Sequence, residues 1–186
     1  MKIKYIGWAQ FLIQNKKTIC TDPFYKCDKA DIILVSHSHP DHCDKEALEA
    51  IKKPETIIVS NEETSKQIDI TKVVKPNQTL ELDNIKLNTV DAYNLNIPNH
   101  PKGSNVGFII EIEGKRIYHT GDTDFIEEMK NIKDIDIMFV PVGGTFVMDV
   151  DQAIKAVETI KPKVAIPMHY GKITVNFYGT IKYVNL

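Results

Sequence analysis

The sequence predicts an α+β fold, two packed, mixed β-sheets with helices outside them. Three observations carry that expectation. β-Branched and aromatic residues cluster from Ile3 to Val35. A strand, loop, helix, strand order occurs once in each half of the chain, and the stretch between the two is a series of short β segments separated by turn residues.

In order, Ile3 to Ile6, Gln10 to Ile13, Thr18 to Thr21 and Asp31 to Val35 read as strands, with a polar turn at Asn15 to Lys17. Asp44 is placed to cap a helix running through Lys53, with Ala47, Leu48 and Ile51 on one face and Pro54 closing it. Thr56 to Val59 returns to strand, and Asn61 to Ile68 reads as one more short helix. Thr79 to Leu82 and Ile85 to Val90 are short strands, followed by a loop with Pro98 and Pro101. Val106 to Ile112 and Lys115 to His119 form a hairpin through Glu113-Gly114. The second unit then runs Ile135 to Val140 as strand, a Gly143-Gly144 loop, a helix from Val150 to Ile160, and Val164 to Ile166 as strand. That helix has a capping-box pattern, Asp149 to Gln152, and apolar residues Val150, Ala153, Ile154, Val157 and Ile160 at helical spacing. Both units turn at a Lys-Pro pair, which suggests a weak internal duplication.

At 186 residues and 21.1 kDa the chain is the size of one domain, 1–186. Area scaling lets such a chain bury about 70% of its extended surface without disulfides or structural metal, so a metal here is expected to be functional. The net charge of -2 is spread without a basic block, which argues against a nucleic-acid partner. Arg116 is the single arginine, so a guanidinium clamp on phosphate has little to draw on. No apolar run approaches the roughly 20 residues of a membrane span, and no membrane insertion is expected. Three cysteines, Cys20, Cys27 and Cys43, lack a C-x-x-C pair and fit reduced thiols. With no signal-peptide pattern at the N-terminus, the expected location is the cytoplasm.

Residues 37 to 42 read His-Ser-His-Pro-Asp-His directly after the apolar strand ending at Val35. Three imidazoles and a carboxylate within six positions have no stability rationale in a loop, whereas borderline ions such as zinc accept both donor types. The bland reading is a polar turn that happens to be rich in histidine. Three further loops offer donors: Asn99-His100-Pro101, Thr120-Gly121-Asp122-Thr123 and Pro167-Met168-His169-Tyr170-Gly171.

With these segments in hand the sequence resembles the metallo-β-lactamase superfamily, through its His-x-His-x-Asp-His motif followed in order by a histidine, an aspartate and a last histidine. The likeness extends to Asp22-Pro23-Phe24, Tyr118-His119-Thr120-Gly121-Asp122-Thr123 and Ile166-Pro167-Met168-His169-Tyr170-Gly171, strings found in small bacterial and archaeal metal-dependent hydrolases. The resemblance covers about residues 1 to 171. It implies an αβ/βα four-layer sandwich, with His37, His39 and His100 on one divalent metal, Asp41, His42 and His169 on a second, and Asp122 bridging both. Zinc is the expected ion, with manganese or iron as alternatives. The implied activity is a hydrolase in which a bridging hydroxide attacks an ester, lactone, amide or phosphodiester of a small molecule. Asp41 and Asp122 are then the catalytic carboxylates. Relatives with this ligand pattern include ascorbate 6-phosphate lactonase-like enzymes and phosphodiesterases of the phospholipase D type.

Two other classes compete. Di-iron oxidoreductases of the superfamily resemble a pattern with glutamate where this chain has His39, and a metal-binding module without turnover is suggested only by the C-terminus, since relatives continue into a further loop and helix while 172–186 reads as short alternating β residues with a turn near Tyr178-Gly179.

Several neighbours carry paired expectations. His119 is read as packed rather than ligating, Cys43 as a small apolar residue, and Asp22 as a support for the ligand loops or a simple turn residue. Tyr93, Asn94 and Lys102 flank His100 and either reach substrate or are exposed loop polarity. Gly143-Gly144 either lets the backbone approach the site or makes a turn.

Overall fold

A computed structural model describes residues 1–171 and 183–185. The chain forms two compact units, Met1–Val73 with Gly171–Leu186, and Val74–Tyr170. Among the described residues no helix is long and apolar enough to cross a membrane.

The first unit is built on β1 (Lys2–Gly7), β2 (Gln10–Gln14), β3 (Thr18–Thr21), β4 (Ala30–Leu34), α1 (Lys45–Ile51), β5 (Lys52–Asn61), α2 (Glu62–Ser65) and β6 (Lys72–Val74). Its seven-stranded sheet has the order β13-β1-β2-β3-β4-β5-β6, where β13 is Tyr183–Asn185. The expected turn near Tyr178-Gly179 lies outside the described residues. β1, β2 and β3 are antiparallel in succession, while β3, β4 and β5 are parallel. A parallel neighbour requires a crossover, and α1 makes it between β4 and β5. Asp44 caps α1 as expected, its carboxylate accepting from the Ala47 amide at 2.8 Å. Leu48 and Ile51 are buried on its inner face, each worth roughly 1.5–3 kcal/mol.

The helix stops at Ile51, two residues before the expected end, and Pro54 lies inside β5 instead of closing the helix. The reason is local pairing. β5 pairs with β4 at Lys52, then at Ile57 to Val59 after an irregularity, so the missing Pro54 amide falls at an exposed bulge where no ladder bond is needed. The Lys53 amide is satisfied by Thr56 Oγ1 at 2.7 Å.

The second unit contains β7 (Thr79–Leu82), β8 (Ile85–Asp91), β9 (Val106–Ile112), β10 (Lys115–His119), a 3-10 turn at Glu127–Asn131, β11 (Ile137–Pro141), α3 (Val150–Ile160) and β12 (Val164–Met168). Sheet order is β12-β11-β10-β9-β8-β7. β8, β9 and β10 are antiparallel in succession and β10, β11 and β12 are parallel. The pairing sequence of β1 to β5 therefore recurs in β8 to β12, with a helix in the last crossover each time, which is the duplication the strand and helix patterns suggest. The Glu113-Gly114 hairpin has φ of 51° and 71°, the left-handed pair that a two-residue turn of this kind requires.

On α3 the buried stripe is Ala153, Ala156 and Ile160, whereas Val150 and Ile154, expected inside, are half exposed. The small alanines let the helix approach a core that includes Tyr118, Met129, Met138 and Met148, and Val150 and Ile154 rotate outward as a result. Asp149 accepts from the Gln152 amide at 2.8 Å, but Gln152 turns its side-chain oxygen to the Phe125 amide instead of back to the cap.

Candidate metal centre

In the first unit the loop after β4 places His37, His39, Asp41 and His42 together. Its backbone is closed by the His42 and Cys43 amides, both donating to the His39 carbonyl at 2.9 Å. The ring centroids of His37 and His42 are 4.2 Å apart and those of His37 and His39 4.6 Å. His42 Nε2 lies 3.7 Å from Asp41 Oδ2.

Asp22, fully buried at the end of β3 with φ of 38°, organises this loop. Its carboxylate accepts from the Ser36 amide at 2.7 Å, from Ser36 Oγ at 2.8 Å and from His42 Nδ1 at 2.8 Å. A carboxylate only accepts here, so His42 carries its hydrogen on Nδ1 and presents Nε2 as a lone pair. The Ser36 hydroxyl, having donated to Asp22, accepts from His37 Nδ1 at 2.9 Å and fixes the same tautomer there. His37 Nε2 stands 3.0 Å from His39 Nδ1. Two nitrogens on one tetrahedral zinc, at Zn–N distances of about 2.0–2.1 Å, sit about 3.3 Å apart, so this spacing suits a shared cation.

Trp8 was not legible as a site residue. It sits between β1 and β2 at φ 56°, and its indole nitrogen donates to Asp41 Oδ2 at 2.8 Å. The Tyr5 hydroxyl donates to the Trp8 carbonyl at 3.1 Å and steadies the turn.

The second unit brings together His100, Asp122 and His169. Asp122 Oδ2 is 3.6 Å from His100 Nε2 and 3.1 Å from His169 Nε2, so one carboxylate oxygen serves the two histidines that the resemblance assigns to different ions. All three side chains are buried. Asn94 accepts from His100 Nδ1 through Oδ1 at 2.8 Å, while its amide donates to Asp124 at 3.2 Å and to the Phe146 carbonyl at 3.0 Å. Those two donations fix which end of the amide faces the histidine, and hence place the His100 lone pair on Nε2. His169 follows β12 at φ 54°. A Cβ on Gly143 would stand 2.5 Å from the His169 carbonyl and 3.3 Å from its Nδ1, so glycine is required for that approach.

The remaining neighbours divide. His119 is fully buried, edge-on to Phe139, and accepts from the Gly121 amide at 3.2 Å, a packed residue as expected. Cys43 lies in the first unit's apolar core, where burial pushes its thiol up to about 12. Asn94 is buried and orients a histidine. Lys102 pairs with Glu128 at 2.5 Å and lies 5.0 Å from the Tyr93 ring centroid, and the Tyr93 hydroxyl donates to the same carboxylate at 3.0 Å. The Lys102 hydrogen bond holds Glu128 below the usual carboxylate range.

Donor chemistry fits divalent metal. His37, His42 and His100 each have Nδ1 committed to an acceptor, the arrangement that raises the basicity of a ligating Nε2 and sets its direction. Carboxylate and imidazole together suit zinc, manganese or iron.

Residues 2–169 match the family model of a beta-lactamase superfamily domain. A UPF0173 metal-dependent hydrolase of Nanoarchaeum equitans is 36% identical over 184 residues, covering 92% of this chain and 84% of the relative. A solved structure from Parabacteroides distasonis is 37% identical with a TM-score of 0.86, covering 93% of this chain and 84% of the other. Another, from a Thermotoga maritima protein of the metallo-β-lactamase superfamily, is 27% identical with a TM-score of 0.66, covering 94% and 78%. The chain belongs to the metallo-β-lactamase superfamily.

Proposed function

We propose that this superfamily member is a metal-dependent hydrolase of small molecules, with two divalent ions serving cleavage of an ester, lactone or phosphodiester bond. The observation that supports it best is the fixed tautomer of His37, His42 and His100, each set by a buried hydrogen bond to Nδ1 from Ser36, Asp22 or Asn94. A structural histidine gains nothing from presenting an Nε2 lone pair towards a carboxylate. Metal ligands do.

In this reading His37, His39 and His100 hold one ion, Asp41, His42 and His169 the other, and Asp122 both, with zinc as the expected metal. Bound divalent metal supplies Lewis-acid polarisation of the scissile group and ionises water near neutral pH. The chain's own part is positioning and proton transfer. Asp41 keeps 25% of its side chain exposed, against 3% for Asp122. It is the carboxylate able to take a proton from the attacking water and pass it to the leaving group, with Trp8 holding one oxygen and so aiming the other.

The test is elemental analysis of the full chain followed by a hydrolysis screen of phosphodiesters, lactones and esters on metal-reconstituted protein. About two ions per chain and turnover of one class are expected, with Asp122→Asn losing metal and activity together. One ion per chain, or two ions without turnover of any class, overturns the reading.

A further inference from the structure

Gln10, buried at the start of β2, holds two cysteines at once. Its side-chain nitrogen donates to Cys20 Sγ at 3.4 Å, to Cys27 Sγ at 3.3 Å and to the Tyr25 carbonyl at 3.0 Å. Its oxygen accepts from the Phe24 and Tyr25 amides at 3.2 and 2.8 Å. One amide thus ties β3, which carries Cys20, to the turn that carries Cys27. The Cys20 thiol donates to the Thr21 carbonyl at 3.6 Å and the Cys27 thiol to the Asp28 carbonyl at 3.7 Å. Neither has a role in the metal centre.

We propose that Cys20 and Cys27 are a redox modification site, a dithiol that closes reversibly to a disulfide on reaction with a low-molecular-weight disulfide such as oxidised glutathione. Disulfide bonds need sulfurs brought to about 2.05 Å, with Cβ atoms about 3.5–4.5 Å apart. Both sulfurs lie against the same Gln10 amide nitrogen, at 3.4 and 3.3 Å, which gathers them on one side of the turn from which closure can start. The turn from Asp22 to Cys27 is held by Gln10 independently of the sulfurs, through its oxygen and the Tyr25 carbonyl, so closure leaves the turn's backbone anchors in place.

The two sulfurs have different parts. Cys27 is half-buried and within reach of a small reagent, whereas Cys20 is fully enclosed. The neighbouring Cys20 side chain lowers the Cys27 thiol, and burial raises that of Cys20. Cys27 thiolate attacks one sulfur of the reagent, whose S–S bond breaks and releases one thiolate. Cys20 sulfur then attacks Cys27 sulfur, and the second reagent thiolate leaves with the Cys20 proton. Cysteine pair and reagent exchange two electrons: one disulfide is made, one is consumed, and two small thiols result. Cys43, enclosed in the apolar core away from this turn's amide, stays reduced.

The experiment equilibrates the full chain in glutathione buffers from fully reduced to fully oxidised, quenches with acid, denatures, alkylates and weighs the intact protein. Wild type is expected to pass from three alkylated cysteines to one, with loss of two hydrogens, and Cys43→Ser from two to none. Cys20→Ser should stop at a glutathione adduct on Cys27. Because a change at buried Cys20 can unfold the chain, the wild-type digest gives an independent readout: trypsin cuts after Lys26, so a disulfide links the separate peptides 18–26 and 27–29. That linked pair is the expected product. Three alkylatable cysteines in fully oxidised buffer, a stable glutathione adduct in wild type, or a linkage that includes Cys43 would each overturn the proposal.

Discussion

Asp22 is the residue on which the first unit's ligand loop depends, and replacing it with asparagine separates charge from shape. The carboxylate accepts three hydrogen bonds at 2.7 to 2.8 Å, from the Ser36 amide, Ser36 Oγ and His42 Nδ1. In Asp22→Asn the amide oxygen keeps the backbone bond, but its NH2 faces two groups that were donors. Both relax only by reversing: Ser36 Oγ accepts from the amide and donates to His37 Nδ1, and His42 moves its hydrogen to Nε2. Each reversal costs a ligand lone pair at Nε2. Removing one such supporting partner lowers metal affinity about 10–100-fold, or about 1.4–2.8 kcal/mol, so two reversed imidazoles predict a loss of at least about 100-fold. The fold survives, since three charge-assisted bonds become neutral ones at a cost of about 1 kcal/mol each, or about 3 kcal/mol in all. The assay is competition for zinc with a chromogenic chelator, paired with urea unfolding of metal-free protein. If the variant unfolds as readily as predicted but binds zinc within about 3-fold of wild type, the tautomer argument fails.

Three further outcomes follow from contacts described above. Trp8→Phe keeps the ring but removes the donor to Asp41 Oδ2, and is expected to weaken metal binding about 10-fold in the same competition assay with little change in unfolding midpoint. Gly143→Ala forces its new methyl against the His169 carbonyl, and urea unfolding should show a loss of about 1–3 kcal/mol together with weakened metal binding; an unchanged variant would mean that β12 and His169 move aside freely. Asp136 is held below the usual carboxylate range by its hydrogen bond with Lys163, then by the Arg116 amide. A depressed folded value contributes stability that is present above the unfolded value near 3.9 and is lost as pH falls through the folded value. Unfolding midpoints from pH 7 down to pH 3 should therefore fall less steeply for Asp136→Asn than for wild type, and equal slopes would refute the linkage.

What was legible in the sequence is what depends on neighbours along the chain. The cap at Asp44, the Glu113-Gly114 turn and the short strand β8 are short-range effects, and each was readable from spacing. Donor density did the same for His37 to His42. Where spacing misled, a tertiary contact won. Val150 and Ile154 have a helical apolar pattern, but the core accepts α3 along its alanines. Pro54 reads as a helix stop until β4 pairs with β5 on either side of a bulge. Trp8 gave no signal because its partner is 33 residues away and its left-handed backbone is not written in its residue type. Asn94 read as either substrate-reaching or exposed, and it is buried against His100, because flanking a histidine does not reveal which way an amide points.

The repeated strand pairing also shows why two similar carboxylates have different parts. β3 and β10 hold corresponding places, each antiparallel to the strand before and parallel to the strand after, and Asp22 and Asp122 follow their respective strands closely. Asp22 meets its histidine at Nδ1, the nitrogen that carries hydrogen, and so is satisfied as it stands. Asp122 meets both of its histidines at Nε2. For His100 that nitrogen is a lone pair, because Nδ1 is committed to Asn94. A buried carboxylate oxygen and a lone pair repel unless a proton or a cation lies between them, and enclosure raises the cost of leaving them so. Which imidazole nitrogen a carboxylate faces thus separates the aspartate that positions from the aspartate proposed to ligate, a distinction that neither residue type nor place in the repeat carries.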